Sequence, residues 1–321
     1  MSREISIIVT GMSYLEGPRW HDQRIWFSDF YTNRVYSAAE DGSDVRTEAE
    51  VPGQPSGLGW LPDGRLLIVS MRDGRLLRRE ADGTLVCHAD VSGYISGHLN
   101  DMVVDSQGRA FVGEFGFDLM SGADLKPAGL LRVDPDGTVT KVAGDMWFPN
   151  GSVITEDGTL LVDETFGNRV SAFDITEDGT LANRRTWAKF GEQPSDSELA
   201  KMLAQVVVAP DGCCLDADGA MWIADGLGGR VIRVRHGGEV IEEIQAGTRR
   251  IRLHARRSRR PHLVHLRRTR LPGGSPQERS RGEPDDRPRR HPPRRIALTG
   301  APKSVRGVAL TEDPDVGRPG P

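Results

Sequence analysis

The nine residues EDGTLLVDE (156–164) decide the fold, because their pattern of a polar turn followed by a short apolar strand returns along the chain. The other copies read HDQRIWFSD (21–29), PDGRLLIVS (62–70), SQGRAFVGE (106–114) and ADGAMWIAD (217–225). Asp-Gly turns supply the positive φ angles that tight connections between strands require. A second turn and another strand follow most copies, so the repeated unit consists of several short strands.

The spacing of the units predicts an all-β, six-bladed β-propeller. The turn glycines Gly64, Gly108, Gly158 and Gly219 are 44, 50 and 61 residues apart, and four-stranded units at such intervals are typical of propeller blades. Five units fill residues 14–245, and a leading strand at 5–10 could close the ring. A β-sandwich with many hairpins is the alternative fold, and a five-bladed ring also stays open.

The charge distribution divides the chain at residue 248. Residues 1–248 carry 22 basic and 39 acidic side chains, a net charge of −17, whereas residues 249–295 carry 17 basic and four acidic ones. An acidic body favours cations and repels nucleic acid. We therefore expect a propeller domain over 1–248 and an aberrant Arg/Pro-rich segment over 249–321, where the sixth blade should lie.

Two hypotheses account for residues 249–295. A basic tail could bind nucleic acid or anionic surfaces. Alternatively, the segment is a frameshift: read one base later, plausible codons for this stretch permit an Asp-Gly-Arg-Thr-Leu-Phe string, which is the turn and strand motif of the blades. We favour the frameshift, under which the arginines reflect codon composition and nucleic acid is not a partner.

Several other classes of protein do not fit the sequence. The three cysteines, Cys87, Cys213 and Cys214, provide no disulfide framework. The N-terminus does not resemble a signal peptide, and no apolar stretch reaches the roughly 18 residues of a membrane span. We expect a cytoplasmic protein without membrane contact.

Four polar residues recur at one position of the predicted blades. Glu16, Asn100, Asn150 and Asp211 precede the next turn by 6, 7, 7 and 7 residues. Equivalent positions of successive blades converge on the central channel, so we expect these side chains to face one another. Each alone could be a turn cap. Together, two carboxylates and two amides without His or Cys make an oxygen site that suits Ca²⁺, Mg²⁺ or Mn²⁺.

The same residues carry a family resemblance. The motifs EGPRW (16–20), Asn100-Asp101, FPNG (148–151) and the pattern DGxxxDxxGxxW (211–222) are similar, in order and spacing, to the gluconolactonase / senescence-marker-protein / luciferin-regenerating-enzyme family. The resemblance covers residues 8–248 and implies a six-bladed propeller with one divalent ion in the channel. It makes Glu16, Asn150 and Asp211 metal ligands, with Ca²⁺ preferred and Mg²⁺, Mn²⁺ or Zn²⁺ as alternatives.

The resemblance also implies an activity. Asn100 would bind the substrate or a metal-bound water, and Asp211 would be the catalytic base of a lactonase or esterase-type hydrolase acting on a small molecule. The sequence departs from the family at His98, where many sugar lactonases have Arg, and at Met102, where Gly is common. We predict that His98 lines the substrate pocket and that a less polar lactone or an aryl or alkyl ester replaces the sugar lactone.

The channel mouth and two other functions complete the expectations. Phe115, Phe117, Met120 and Trp147 are candidates to line the mouth, and residues 193–205 predict a short helical insertion that could cover it. A metal-stabilised propeller acting as a binding platform and an organophosphate-type hydrolase are the alternatives to the lactonase.

Overall fold

The computed structural model describes residues 7–245 and the backbone of two short strands, 264–265 and 308–309. Twenty strands of the first part form five four-stranded antiparallel sheets. We call these sheets blades 1 to 5. Blade 1 contains β1 (Leu15–His21), β2 (Arg24–Asp29), β3 (Arg34–Ala38) and β4 (Arg46–Glu50); blade 2 contains β5 (Pro55–Trp60), β6 (Leu66–Ser70), β7 (Arg75–Arg79) and β8 (Leu85–Asp90). Blade 3 contains β9 (Leu99–Val104), β10 (Ala110–Glu114), β11 (Ala128–Val133) and β12 (Val139–Met146); blade 4 contains β13 (Pro149–Ile154), β14 (Thr159–Glu164), β15 (Arg169–Ile175) and β16 (Leu181–Lys189). Blade 5 contains β17 (Pro210–Leu215), β18 (Met221–Asp225), β19 (Arg230–Val234) and β20 (Val240–Gln245).

The predicted turn and strand unit forms the inner half of every blade. Each sheet is a meander in which neighbouring strands follow one another in the sequence, and the Asp-Gly turns join the first strand to the second. In these turns an aspartate accepts hydrogen bonds from the backbone that follows, as when Asp105 Oδ1 accepts from Gln107 N at 2.9 Å. The sequence repeats therefore become blades because each turn is fixed by its own side chain.

The blades pack face to face around the inner strands. First strands of consecutive blades lie side by side in the order β1, β5, β9, β13, β17. Second strands such as β6 and β18 are buried along their whole length, since each is covered by a blade on either face, which explains their continuous apolar sequences. Apolar side chains of blades 2 and 3 form one such core, which includes Leu67, Met102 and Val112.

The β-propeller fold is confirmed, with five blades. Within residues 7–245, no contact of comparable extent joins β17 to β1. The predicted sixth blade at 249–295 lies outside the described residues. Of the expected closing strand at 5–10, residues 7–10 are described and form no strand. Val9, at the end of that segment, packs on Leu15, Ile25 and Phe27 of blade 1. Beyond residue 245, β21 (Val264–His265) pairs with β22 (Val308–Ala309).

The predicted helical insertion is present but shorter than the sequence indicated. Helix α1 (Leu199–Leu203) begins after Glu198, and no serine side chain caps it. Only Met202 of this helix is buried. The single helical turn therefore packs one apolar side chain against the propeller. No helix among the described residues has the length and apolar character needed to cross a membrane.

Candidate functional site

The five first strands share one irregularity, and it determines where the site lies. Each strand has one extra residue relative to its neighbour, a β-bulge, near the end at which it begins: the register shifts between Glu16 and Arg19, Pro55 and Leu58, Leu99 and Met102, Pro149 and Ser152, and Pro210 and Cys213. A bulge re-aims the side chains that it contains. We call this end of the propeller the mouth.

All four predicted residues occupy the same register position at the start of a first strand. Glu16, Asn100, Asn150 and Asp211 each come one residue after the residue that pairs with the last residue of the second strand, and all four are buried. Blade 2 places Ser56 at the equivalent position. Sequence reasoning missed Ser56, although it precedes Asp63 by the same 7 residues as three of the others. Every described blade therefore carries one polar side chain at this register position.

Glycines after these residues let neighbouring blades approach closely. A Cβ at Gly151 would lie 2.5 Å from Asp211 O, and a Cβ at Gly57 would lie 2.6 Å from Asp101 Oδ1. Real Cβ atoms do not approach backbone oxygens that closely, so only glycine fits. The dipeptides Glu16-Gly17, Ser56-Gly57 and Asn150-Gly151 thus combine a polar side chain with a close contact between blades.

Hydrogen bonds between blades orient the two amides. Asn100 Nδ2 donates to Pro149 O at 3.0 Å. Thr165 Oγ1 donates to Pro210 O at 2.7 Å and accepts from Asn150 Nδ2 at 3.1 Å. The Pro149 carbonyl can only accept a hydrogen bond, so Asn100 must donate to it from its amide nitrogen. The Thr165 hydroxyl already donates its proton to Pro210 O, so Asn150 must also donate from its amide nitrogen. The oxygen of each amide then lies on the opposite side of its group.

The resulting donor set is rich in oxygen. Glu16 and Asp211 add carboxylates to the amide oxygens, which is the chemistry that a hard divalent cation requires. Between residues 7 and 245, no group of three or more His, Cys, Asp or Glu side chains has a metal-binding arrangement. A set of two carboxylates and amides is a different type of site, and its residues fit such an ion in donor type.

The acidic residues that end the second strands have a separate, structural role. Asp29, Glu114, Glu164 and Asp225 each accept a backbone N–H from the segment that leads into the first strand of the same blade, at 2.8, 3.0, 2.8 and 3.1 Å. These bonds fix the start of each first strand, just before the bulge. The sequence shows the acidic residues as part of the repeat, but only the structure shows what they hold.

An ion pair crosses the channel side of blade 2. Arg19 of β1 donates from Nη2 to Asp101 Oδ1 at 2.5 Å and to Met102 O at 2.9 Å, and both charged side chains are largely buried. Asp101 Oδ1 also accepts from its neighbour Met102 N at 2.8 Å. The arginine therefore neutralises Asp101 and fixes the backbone beside Asn100.

A second buried carboxyl lies between blades 4 and 5. Asp163 of β14 is fully buried, and among the described residues neither carboxyl oxygen has a partner within hydrogen-bonding geometry. Burial, with the charges of Asp211 and Asp101 nearby, raises the pKa of Asp163 well above its ordinary value, although the neighbouring Cys213 thiol acts in the opposite direction. No feature of the sequence singles out Asp163.

Aromatic side chains cover the mouth. We define the mouth cluster as the buried residues Phe30, Met71, Phe115, Phe117, Leu125, Phe148, Phe166 and Met202. The rings of Phe115 and Phe148 are stacked with centroids 4.4 Å apart. Of the residues predicted to line the mouth, Phe115 and Phe117 belong to this buried cluster, and Trp147 packs against it partly buried. Met120 is instead 59% exposed, because it lies at the tip of its loop.

His98 lies at the edge of this cluster. Its ring centroid is 5.9 Å from that of Phe115, and its backbone oxygen accepts from Phe115 N at 2.9 Å. The Nδ1 atom is buried and has no hydrogen-bonding partner among residues 7–245. His98 is thus a polar group in apolar surroundings, two residues before Asn100.

Comparison with known proteins identifies relatives of the chain. The family model described as SMP-30/Gluconolactonase/LRE-like region matches residues 15–254. A 6-deoxy-6-sulfogluconolactonase from Pseudomonas putida is 28% identical over 255 residues, 78% of this chain and 81% of that protein. The pentonolactonase XacC from Haloferax volcanii is 28% identical over 231 residues, 70% of this chain and 71% of that protein.

The fold also recurs among solved structures. A calcium-binding protein, regucalcin, from Agrobacterium tumefaciens superposes with a TM-score of 0.67 and 20% sequence identity, over 83% of this chain and 86% of that one. This likeness supports the propeller architecture.

Proposed function

The chain belongs to the SMP-30/Gluconolactonase/LRE-like family, and on that premise we propose that it is a divalent-metal-dependent lactonase. Two relatives that match most of the chain are named as lactonases. The observation that supports the proposal is the shared register position of Glu16, Asn100, Asn150 and Asp211 at the start of the first strands of four blades.

Glu16, Asn150 and Asp211 are the proposed ligands, with Ca²⁺ as the preferred ion. The bond from Asn150 to Thr165 supports this assignment, because it directs the amide nitrogen away and leaves the oxygen as the ligand. A solved relative is described as a calcium-binding protein. A bound divalent cation would supply a Lewis acid that polarises the lactone carbonyl.

The chain's own residues then carry out the hydrolysis. Asn100, whose Nδ2 is held by Pro149 O, offers its amide oxygen to a hydroxyl or water at the site. Asp211 accepts a proton from the attacking water as the water oxygen bonds to the carbonyl carbon. The ring C–O bond breaks, and the leaving oxygen takes that proton to give the open-chain hydroxy acid. His98 lines the substrate pocket beside Asn100.

Isosteric substitutions test this proposal. Asp211→Asn and Glu16→Gln keep the shape of the site but remove its charges, so we expect each to lower lactone hydrolysis at least about 100-fold and to abolish saturable Ca²⁺ binding in calorimetry. Asp218→Asn is the matched control, because Asp218 is 79% exposed at the turn that leads away from the mouth. Undiminished turnover by Asp211→Asn in EDTA would refute the metal mechanism.

We also propose that residues 249–295 are a frame-shifted sixth blade. Support comes from the sequence, whose basic segment begins at Arg249, and from the family match, which ends at residue 254. Restoring the alternative frame in the gene should raise the thermal unfolding temperature. If the original chain binds DNA in a salt-sensitive way that deletion of 249–295 abolishes, the basic tail is the better explanation.

A further inference from the structure

We infer that Arg19 is a positioning residue for the cation site and acts through its ion pair with Asp101. The pair sets the distance between the two first strands that carry Glu16 and Asn100. The inference rests on the proposed metal-dependent lactonase, because it concerns how the cation ligands are held. Arg19 lies three residues after Glu16 on β1, and Asp101 follows Asn100 directly on β9. The ion pair therefore joins these strands close to the residues on which the site depends.

The ion pair bypasses the blade that lies between these two strands. First strands stand side by side in the order β1, β5, β9, so β5 of blade 2 separates blade 1 from blade 3. Arg19 Nη2 nevertheless donates to Asp101 Oδ1 at 2.5 Å and to Met102 O at 2.9 Å. A glycine in β5 leaves room for the contact, since a Cβ at Gly57 would lie 2.6 Å from Asp101 Oδ1 and 2.7 Å from Met102 N. Arg19 thus connects blade 1 directly to blade 3.

Burial makes this connection stronger than a surface ion pair. The side chains of Arg19 and Asp101 are 15% and 11% exposed, and charges shielded from water attract each other more strongly than exposed ones. Both groups are also bound to the backbone, because Arg19 Nη1 donates to Pro18 O at 3.0 Å and Asp101 Oδ1 accepts from Met102 N at 2.8 Å. Removal of either partner would leave the other charge buried without compensation. We therefore expect the pair to hold β1 and β9 at one separation.

Blade 1 needs this connection because its ligand is separated from the rest of the site. Hydrogen bonds at the amides of Asn100 and Asn150 join blade 3 to blade 4 and blade 4 to blade 5. Glu16 is the proposed ligand on blade 1, and the whole of blade 2 lies between it and Asn100. Ser28 Oγ joins blade 1 to blade 2 by donating to Ser56 O at 2.7 Å. The ion pair adds a direct link to blade 3, so Glu16 is held in the same frame as the other residues of the site.

Charge and positioning predict opposite effects of Arg19→Met on Ca²⁺ binding. Loss of a positive charge near a cation site would by itself strengthen binding. Loss of the link instead lets blade 1 leave the arrangement in which Glu16 reaches the ion, and the apparent affinity falls with the fraction of molecules that stay competent. We expect the positioning effect to dominate, so the Kd for Ca²⁺ measured by calorimetry on the full chain should rise about tenfold. At saturating Ca²⁺ the ion selects the competent arrangement, so kcat for δ-valerolactone should stay within about twofold of wild type.

Companion variants separate the ion pair from its two members. Asp101→Asn should weaken Ca²⁺ binding as well, and the double variant Arg19→Met/Asp101→Asn should weaken it by less than the product of the two single effects, because the link can be lost only once. Arg19→Lys keeps the charge without the guanidinium group, so it should recover part of the affinity that Arg19→Met loses.

Arg109→Met is the matched control. Arg109 Nε pairs with Asp105 Oδ2 at 2.6 Å, with side chains 10% and 7% exposed, and Arg109 Nη1 donates to Glu177 O of the next blade at 2.9 Å. This ion pair is as buried as that of Arg19 and also joins two blades, but it lies at the turns that lead away from the mouth. Arg109→Met should therefore lower the stability to urea and leave the Kd for Ca²⁺ at the wild-type value.

The outcomes distinguish failure of the inference from failure of the proposed function. Unchanged or tighter Ca²⁺ binding in Arg19→Met would overturn the inference and leave the lactonase proposal standing, and so would an equal loss of affinity in Arg109→Met. If Arg19→Met is unfolded at the temperature of the titration, unchanged affinity in both Asp101→Asn and Arg19→Lys would overturn the inference in its place. A wild-type chain that binds no Ca²⁺ and hydrolyses lactones equally well in EDTA would overturn the metal-dependent function, and the inference with it.

Discussion

Replacing Thr165 by valine tests how the site is assembled. Thr165 Oγ1 donates to Pro210 O of blade 5 and accepts from Asn150 Nδ2 of blade 4, and the residue is buried. Valine has nearly the same shape but no hydroxyl, so both partners lose their hydrogen bond. A buried polar group left without a partner costs about 1–3 kcal/mol. We therefore expect Thr165→Val to lower the free energy of unfolding by about 2–4 kcal/mol.

The same substitution should weaken Ca²⁺ binding. With no acceptor for Nδ2, the Asn150 amide is free to rotate and its oxygen loses its fixed direction, and changes of this kind beside metal ligands typically cost about 10- to 100-fold in affinity. Urea unfolding measures the first effect and calorimetric titration the second. Thr165→Ser should restore both, and Thr47→Val on the exposed surface of β4 should change neither. Wild-type stability in Thr165→Val would refute this account of the site.

Two further predictions concern the packing around Asp211. The pKa of Asp163 is raised in the folded chain, so the unfolded chain releases this proton near pH 4 while the folded chain retains it. The wild-type free energy of unfolding therefore falls as the pH rises from about 4 toward the raised pKa, by about 1.4 kcal/mol per pH unit. Asp163→Asn should remove that slope in urea unfolding measured above pH 4 in EDTA, and parallel slopes would contradict the prediction. Gly151→Ala would place a Cβ 2.5 Å from Asp211 O; we expect a loss of about 1–3 kcal/mol and of most lactonase activity. Gly144→Ala, with nothing within 4 Å, is its control, and unchanged stability in Gly151→Ala would show that the blades can separate there without cost.

Much of the fold could be predicted because the information is local. Each Asp-Gly turn and the apolar strand after it are specified within about ten residues, and the repetition of EDGTLLVDE-like units predicts blades. The chain also places Glu16, Asn100, Asn150 and Asp211 six or seven residues before these turns, which is why a common position could be expected. Ser56 carries the same signal.

Other features depend on contacts between residues that are distant in the sequence. Thr165 matters because it reaches Pro210, 45 residues away, and Arg19 because it reaches Asp101, 82 residues away. Nothing near either residue in the sequence shows these partners. The role of the acidic residues that end the second strands is likewise visible only when the backbone groups that they accept from are in place.

The sequence by itself determined the repeated blade, the family motifs and the types of atom available to a cation, since these follow from local turns and residue identity. Only the tertiary structure decided how the amides of Asn100 and Asn150 are oriented, that Asp163 is fully buried, and that apolar side chains from several blades pack together at the mouth. The physical reason is that orientation, desolvation and apolar packing arise between blades, whereas the sequence pattern describes one blade at a time.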